Sequence, residues 1–319
     1  MPRITIGMPV YNGANFLSLA IDSLLAQTFG DFELIISDNA STDATPEICQ
    51  AHARRDSRIR YTRTQYTIPP GENHNRTISM ALGEYFRWAA HDDLCDPGLL
   101  AREVEILDSD PSVVLVYPKV RIIDDLGETI EDYEQELETG SPDPCRRFGA
   151  LVCVEHRHHG AFEIFGLMRT DALRRTPGEG NYARADSVLL VRMSLLGRFY
   201  EIPERLFFNR HHVSRSVQQI ASNRKSGRSR LARRLGSGPV PPPEWWDPAK
   251  KNAIVFPEWR VIAEYYSAIF DAPLSPWQRA RCVGYLGRWL VRYWPKLARD
   301  IIFVGEQLVV GPSAKVRTA

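Results

Sequence analysis

The pair Asp92-Asp93 stands where an apolar stretch, residues 85–90, gives way to a polar turn. Two carboxylates in such a place suit a hard cation, Mg²⁺ or Mn²⁺, that bridges two phosphates and neutralises the charge on a departing diphosphate. Adjacent acids also cap helices, and a helix pattern follows this pair. Two more polar clusters close other apolar stretches: Tyr11-Asn12 after residues 4–10, and Asp38-Asn39 after residues 32–37.

The segments between these clusters are those needed to bring them together. Phe16, Leu17, Ala20, Ile21, Leu24 and Leu25 recur at helical spacing within residues 15–27. Further helix patterns cover residues 46–55, 73–82 and 97–109, and strand patterns cover 59–64 and 113–123. Strands separated by helices of this length predict parallel βαβ units. Open sheets of that kind bind ligands at the carboxyl ends of their strands, so the three clusters are expected to be neighbours in space.

The second half is less regular. Residues 124–144 are acidic and read as a loop or hairpin, residues 162–169 as a strand, and residues 186–196 as a helix. A basic stretch from Arg205 to Arg234 holds nine Lys or Arg and no acid. Basic runs can hold phosphates, nucleic acid or anionic lipid, but no nucleic-acid-binding motif accompanies this one. Residues 218–250 are basic, then Gly- and Pro-rich, and read as a loop or linker. Two helix patterns follow, at 256–270 and 276–310. The second interleaves Trp277, Tyr285, Trp289, Tyr293 and Trp294 with five basic residues, a pattern suited to a membrane surface or to packing on the preceding domain.

The 319 residues carry a formal net charge of +1, so bulk charge singles out no partner. The five cysteines form no C-x-x-C pair and read as reduced, buried thiols. No signal-peptide pattern opens the chain and no long apolar run spans a membrane, so the expected location is cytoplasmic, at most peripheral on the inner face of the membrane. His156-Arg157-His158-His159 has no Cys or carboxylate set at zinc-ligand spacing.

Residues 3–217 resemble the family 2 glycosyltransferases, which have the GT-A nucleotide-sugar fold. The resemblance rests on Pro9-Val10-Tyr11-Asn12, residues 37–43 (Ser-Asp-Asn-Ala-Ser-Thr-Asp), Asn75, Gly83-Glu84-Tyr85-Phe86 and His91-Asp92-Asp93. It implies a donor nucleotide site at Pro9, Tyr11, Asn12, Asp38, Asn75 and Asp92, with Asp92 near the ribose. Asp93 is implied as the metal ligand. The family often has a further acid two residues before the pair, where this chain has Ala90. Residues 210–216 resemble the R-x-H-x-S-x-S segment found after the base helix, which implies His212 as a further metal or diphosphate ligand. Asp186, in Ala185-Asp186-Ser187, is implied as the catalytic base; the family usually shows Glu-Asp there.

Some of these residues have plainer roles open to them. The Asp38 carboxylate can accept a nucleobase N–H or anchor its own turn. Asp186 can abstract a proton or cap its helix. The resulting expectation is an α/β protein with a GT-A-like, mostly parallel sheet flanked by helices over residues 1–217. A linker at 218–250 and a helical C-terminal region at 251–319 complete it. The implied activity is metal-dependent, inverting transfer from a nucleotide-sugar donor to a glycan or lipid-linked acceptor, without nucleic acid as partner. The alternatives are a sugar nucleotidylyltransferase, whose Gly-rich phosphate loop Gly13-Ala14-Asn15 does not provide, and a non-catalytic nucleotide-sugar-binding assembly factor.

Overall fold

The structure is a computed structural model that describes residues 1–155, 159–212, 243–251 and 253–310. His156 to His158, most of the basic stretch, the R-x-H-x-S-x-S segment beyond His212 and most of the expected linker lie outside these residues.

Nine strands form one sheet. In chain order they are β1 (Ile4–Val10), β2 (Phe32–Asp38), β3 (Ile59–Arg63), β4 (Tyr85–Trp88), β5 (Leu94–Cys95), β6 (Val113–Ile123), β7 (Thr129–Tyr133), β8 (Leu167–Arg169) and β9 (Arg198–Arg210). Their spatial order is β3-β2-β1-β4-β8-β6-β9-β5, with β7 hairpinned onto β6. The first four strands are parallel, as the alternation of strand and helix predicts. β8 enters antiparallel between β4 and β6, and β9 runs parallel to β6. Every residue of β2 is buried, because helices cover both faces of the sheet.

On one face lie α1 (Leu17–Leu25), α2 (Thr45–Arg55) and α4 (Leu99–Ser109), which close a core over β1, β2 and β6. On the other face lie α3 (Pro70–Ser79), α5 (Pro144–Val152), α6 (Thr170–Arg174) and α7 (Ala185–Leu196). The C-terminal helices α8 (Pro257–Asp271) and α9 (Pro276–Val310) join this second core through Val261, Tyr265, Trp289 and Tyr293. They therefore pack on the sheet domain. No helix among the described residues is long and apolar enough to cross a membrane.

Local chemistry explains where the elements depart from expectation. α3 starts at Pro70, whose fixed φ and missing N–H suit a first helical position. It packs so closely on β1 that a Cβ on Gly7 would lie 2.5 Å from Thr77 Oγ1. The expected strand at 162–169 is a 3₁₀ turn, Phe162–Phe165, followed by the short β8. A short apolar run buried all round has no period to separate the two. β9 was hidden by Glu201, Pro203, Glu204 and Arg205. Pro203-Glu204 form a bulge: Pro118 pairs with Ile202 and the next residue, Lys119, with Arg205.

Candidate active site

At the ends of β1 and β2, Val10 and Asp38 are paired in register. Asn12 and Ala40 follow with φ of 52° and 56°, left-handed values that are costly for residues with a Cβ and recur at ligand sites. The two turns are laced together. The Asn12 N–H donates to Ser41 Oγ at 2.9 Å, and Asn12 Oδ1 accepts the Thr42 N–H at 2.8 Å. Tyr11 projects with half of its surface exposed beside this lacing.

Asp38 is fully buried. Its carboxylate accepts the Ser41 N–H at 2.9 Å and the Tyr61 hydroxyl at 2.8 Å, with Arg63 Nε 3.3 Å away. Of its two sequence readings, turn anchoring is the one these bonds realise. Burial, and then Asp38 itself, raises the Tyr61 phenol well above its ordinary value, so it stays a donor to Asp38. Asp43 accepts N–H bonds from Ala14 and Thr45, which ties the first turn to the start of α2.

Asp92, Asp93 and His212 meet where β4 and β9 end. Asp93 is buried and held by β9: Asn209 Nδ2 donates to both carboxylate oxygens at 3.0 and 3.1 Å, and the Arg210 N–H donates at 2.8 Å. Asp92 instead presents Oδ2 to His212 Nε2 at 2.9 Å. The His212 ring leans on Phe16 with centroids 4.8 Å apart. Arg210 backs the site, its guanidinium 4.7 Å from the Phe16 ring and donating to the carbonyls of Asp92 and Asp124. The sequence expectation had Asp93 as the ligand; here its carboxylate is hydrogen-bonded to β9, while Asp92 and His212 are hydrogen-bonded to each other. An oxygen and an imidazole nitrogen fit a divalent cation that takes its remaining ligands from phosphate and water. No group of three His, Cys, Asp or Glu converges among the described residues, so this chain's described donors alone do not fill a coordination sphere.

Asp186 is the second residue of α7, whose N-cap Arg184 has a φ of 68°. Its Oδ1 accepts the Ser187 N–H at 2.7 Å. It lines a cavity of about 210 Å³ with His159, Glu179 and Arg184. His159 is bonded to both oxygens of Glu163 at 3.0 Å. Burial lowers its pKa, but the Glu163 bond and charge, with Asp186, raise it overall. Glu179 is raised by burial, against His74 and assisted by Asp186. Arg184 pairs with Glu258 at the start of α8 and so fixes this turn to the C-terminal helices. A second cavity, about 480 Å³, lies beside the first; it is walled by Tyr182 and Arg260 and shares Trp246 with it.

Asn75, expected at the nucleotide, reaches the loop that leads to Asp186. Its Nδ2 donates to the Glu179 carbonyl and its Oδ1 accepts the Glu179 N–H, both at 2.8 Å. Pro9 lies one position before the end of β1 in register with Ser37.

Residues 5–175 match the family model described as glycosyl transferase family 2. The chain belongs to glycosyl transferase family 2. An uncharacterized glycosyltransferase of Rickettsia typhi is 37% identical over 124 residues, 39% of this chain and 38% of the relative. The chondroitin synthase of Escherichia coli is 26% identical over 230 residues, 69% of this chain and 31% of the synthase. The chain thus spans less than two-fifths of the length of either relative. Among solved structures, S. aureus TarS 1-349 in complex with UDP-GlcNAc superposes with a TM-score of 0.64 at 14% identity, covering 95% of this chain and 81% of that one. The Pyrobaculum calidifontis mannosyltransferase PcManGT, in complex with GDP-Man and Mn²⁺, gives 0.50 at 18% identity, covering 98% and 88%. Both have the GT-A type fold that this family 2 glycosyltransferase shares.

Three features beside these residues were not singled out by sequence reasoning. Glu179 sits in Pro177-Gly178-Glu179-Gly180, a turn signal with an acid inside it shortly before Asp186. His159 could be told from its neighbours only by its Glu163 partner four residues on. Asn209 carried no signal, because β9 itself was not legible, and Arg210 was marked only as the first residue of the R-x-H-x-S-x-S segment.

Proposed function

We propose that this glycosyltransferase moves a sugar from a nucleoside-diphosphate sugar to an acceptor hydroxyl, with inversion at the anomeric carbon, in the synthesis of a cell-envelope glycan or glycolipid. The observation that carries this reading is the pairing of a two-donor phosphate-side site, Asp92 with His212, with a separate carboxylate, Asp186, in its own cavity. The bound ligands of TarS and PcManGT, UDP-GlcNAc and GDP-Man, support a nucleotide-sugar donor.

The nucleotide lies across the ends of β1 and β2, with its base beside Tyr11 and the Asn12–Thr42 turn and its ribose toward Asp92. Pro9 and the Asp38 brace give that floor its shape. Asp92 and His212 would hold a Mg²⁺ or Mn²⁺ ion, which supplies Lewis-acid neutralisation of the diphosphate. Asp93 keeps Asp92 in place by clamping the turn to β9. Asp186 accepts the proton of the acceptor hydroxyl, and that oxygen forms the new bond to the anomeric carbon as the bond to the diphosphate breaks. The proton then passes from Asp186 to solvent. One base and one displacement give inversion. The 480 Å³ cavity at Tyr182 and Arg260 adjoins Asp186 and takes the remainder of the acceptor.

The test is a thermal-shift screen of UDP-, GDP- and dTDP-sugars with and without Mn²⁺, because a ligand of the native state alone raises its melting temperature. At least one sugar nucleotide should stabilise the protein in a Mn²⁺-dependent way and then yield nucleoside diphosphate with an acceptor panel. Stabilisation by none of them contradicts the reading. Binding without release against a broad acceptor panel supports the non-catalytic binder instead.

A further inference from the structure

The C-terminal helices leave an apolar surface outside the core they help to build. On α9, the inward stripe is Cys282, Leu286, Trp289, Tyr293 and Leu297, all buried. A second stripe, Val283, Leu290, Trp294 and Ile301, runs beside it at helical spacing and faces outward. On α8, Trp259, Tyr266 and Phe270 form a matching outward stripe. These seven side chains are between 39% and 58% exposed, high for large apolar groups gathered on one side of a molecule. The outward residues of α8 touch α9 at both ends of the seam. The Trp259 indole N–H donates to the Leu297 carbonyl at 3.2 Å, and the Arg279 guanidinium lies 5.8 Å from the Phe270 ring.

Over the N-terminal part of α9 the charge has one sign, while the α8 acids Glu264 and Asp271 are paired with Arg192. From Trp277 to Lys296 there are five basic residues and no acid. Arg288 and Arg292 are exposed, and the one ion pair Arg292 makes, with Glu155 at 3.3 Å, joins two half-exposed side chains and is weak in water.

We propose that the α8–α9 seam docks on an anionic lipid surface. Trp and Tyr favour the headgroup level, where an apolar ring face and a polar edge are both satisfied, and basic residues beside them meet anionic headgroups. A second copy of the chain fits less well. If a two-fold axis sets α9 against α9, arginines face arginines with no acid between residues 277 and 296 to pair them, and the α8 acids Glu264 and Asp271 are already paired with Arg192. The proposal rests on the surface alone and stands apart from the transfer reaction.

The experiment is co-sedimentation of the full chain with vesicles of equal parts phosphatidylglycerol and phosphatidylcholine, beside vesicles of phosphatidylcholine alone. Wild type should bind the anionic vesicles, and binding should weaken with added salt. The double variant Leu290→Glu/Trp294→Glu should bind them at least roughly tenfold more weakly, since each change puts a charge where an apolar group entered the interface. Its melting temperature and nucleoside-diphosphate affinity should match wild type, because both positions are exposed and far in sequence from the site. A second variant, Arg288→Gln/Arg292→Gln, removes only charge and should lose the preference for anionic vesicles. Equal binding of wild type and the apolar-stripe variant overturns the proposal, as does equal binding to both vesicle types. A concentration-dependent dimer abolished by Leu290→Glu/Trp294→Glu, without vesicle binding, overturns it in favour of a second copy.

Discussion

His212 Nε2 lies 2.9 Å from Asp92 Oδ2, while the neighbouring Asp93 is turned away and clamped by Asn209 and Arg210. Two adjacent acids thus have separate roles, and variants should separate them. Asp92→Asn and His212→Ala should each weaken Mn²⁺-dependent nucleoside-diphosphate binding by at least the roughly 10–100-fold lost when outer partners of a metal site are removed. Asp93→Asn should keep that metal dependence but lose about 1–3 kcal/mol of stability, because buried donors on β9 lose a charged acceptor. Titration calorimetry with UDP and GDP against Mn²⁺ concentration checks this. Unchanged metal dependence in both Asp92→Asn and His212→Ala contradicts it.

Asn75 grips Glu179 through both of its amide atoms, and Glu179 lines the cavity of Asp186. Asn75→Ala should therefore release the loop that carries the base. Turnover should fall by as much as roughly 10²-fold, the cost of a small misplacement of reacting groups, with nucleoside-diphosphate affinity near wild type. Steady-state kinetics alongside direct binding separate the outcomes. A loss of nucleotide affinity equal to the loss of turnover returns Asn75 to the donor site.

The alternating strands and helices of the first half were legible because each apolar run ends in a turn residue, and the rule for parallel sheets then gathered Asn12, Asp38 and Asp92. Which partner each acid takes was not legible. Asp93 and Asp92 are adjacent in sequence, but Asp93 bonds to β9 and Asp92 to His212 just beyond it, and β9 has its hydrophobic alternation interrupted by Pro203 and three charged residues. Asn75 shows the same limit. The resemblance implied a place for it at the nucleotide, yet the loop it holds lies about a hundred residues on. The C-terminal pattern of aromatics and arginines was consistent with packing and with an exposed apolar face, and the structure has both on one helix.

Arg87 and Glu103 form an ion pair at 2.8 Å with both side chains almost wholly out of solvent, between β4 and α4. Burial raises the Glu103 carboxyl and Arg87 opposes it. Arg87→Met should cost about 3–5 kcal/mol by leaving a carboxylate buried without its partner, whereas Arg87→Met/Glu103→Leu should recover most of that. Urea denaturation of the three proteins measures both effects. A double variant no more stable than the single one contradicts the account.

Burial pushes the Asp300 carboxyl up to about 6, despite the Glu258 N–H that it accepts at 2.7 Å. Its folded pKa thus exceeds the unfolded value, so the fold holds the proton more tightly. The resulting stability is present below about pH 4 and is lost as pH rises through 6, by up to about 3 kcal/mol for a shift of this size. Asp300→Asn should flatten the stability profile over that window, and thermal melts at half-unit pH steps read it. An unaltered slope between pH 4 and 6 contradicts this assignment.

The central claim is that Asp186 is a base, and one paired measurement on Asp186→Asn tests it most directly. Asn keeps the shape and the oxygen that meets the Ser187 N–H at the start of α7, but it cannot take a proton. Nucleoside-diphosphate affinity and sugar transfer are measured on the same sample. The account predicts near-wild-type affinity with transfer reduced roughly 10²–10⁴-fold, the usual contribution of a positioned general base. Near-wild-type transfer would contradict it and leave Asp186 as a first-turn residue of α7 that holds the Ser187 N–H.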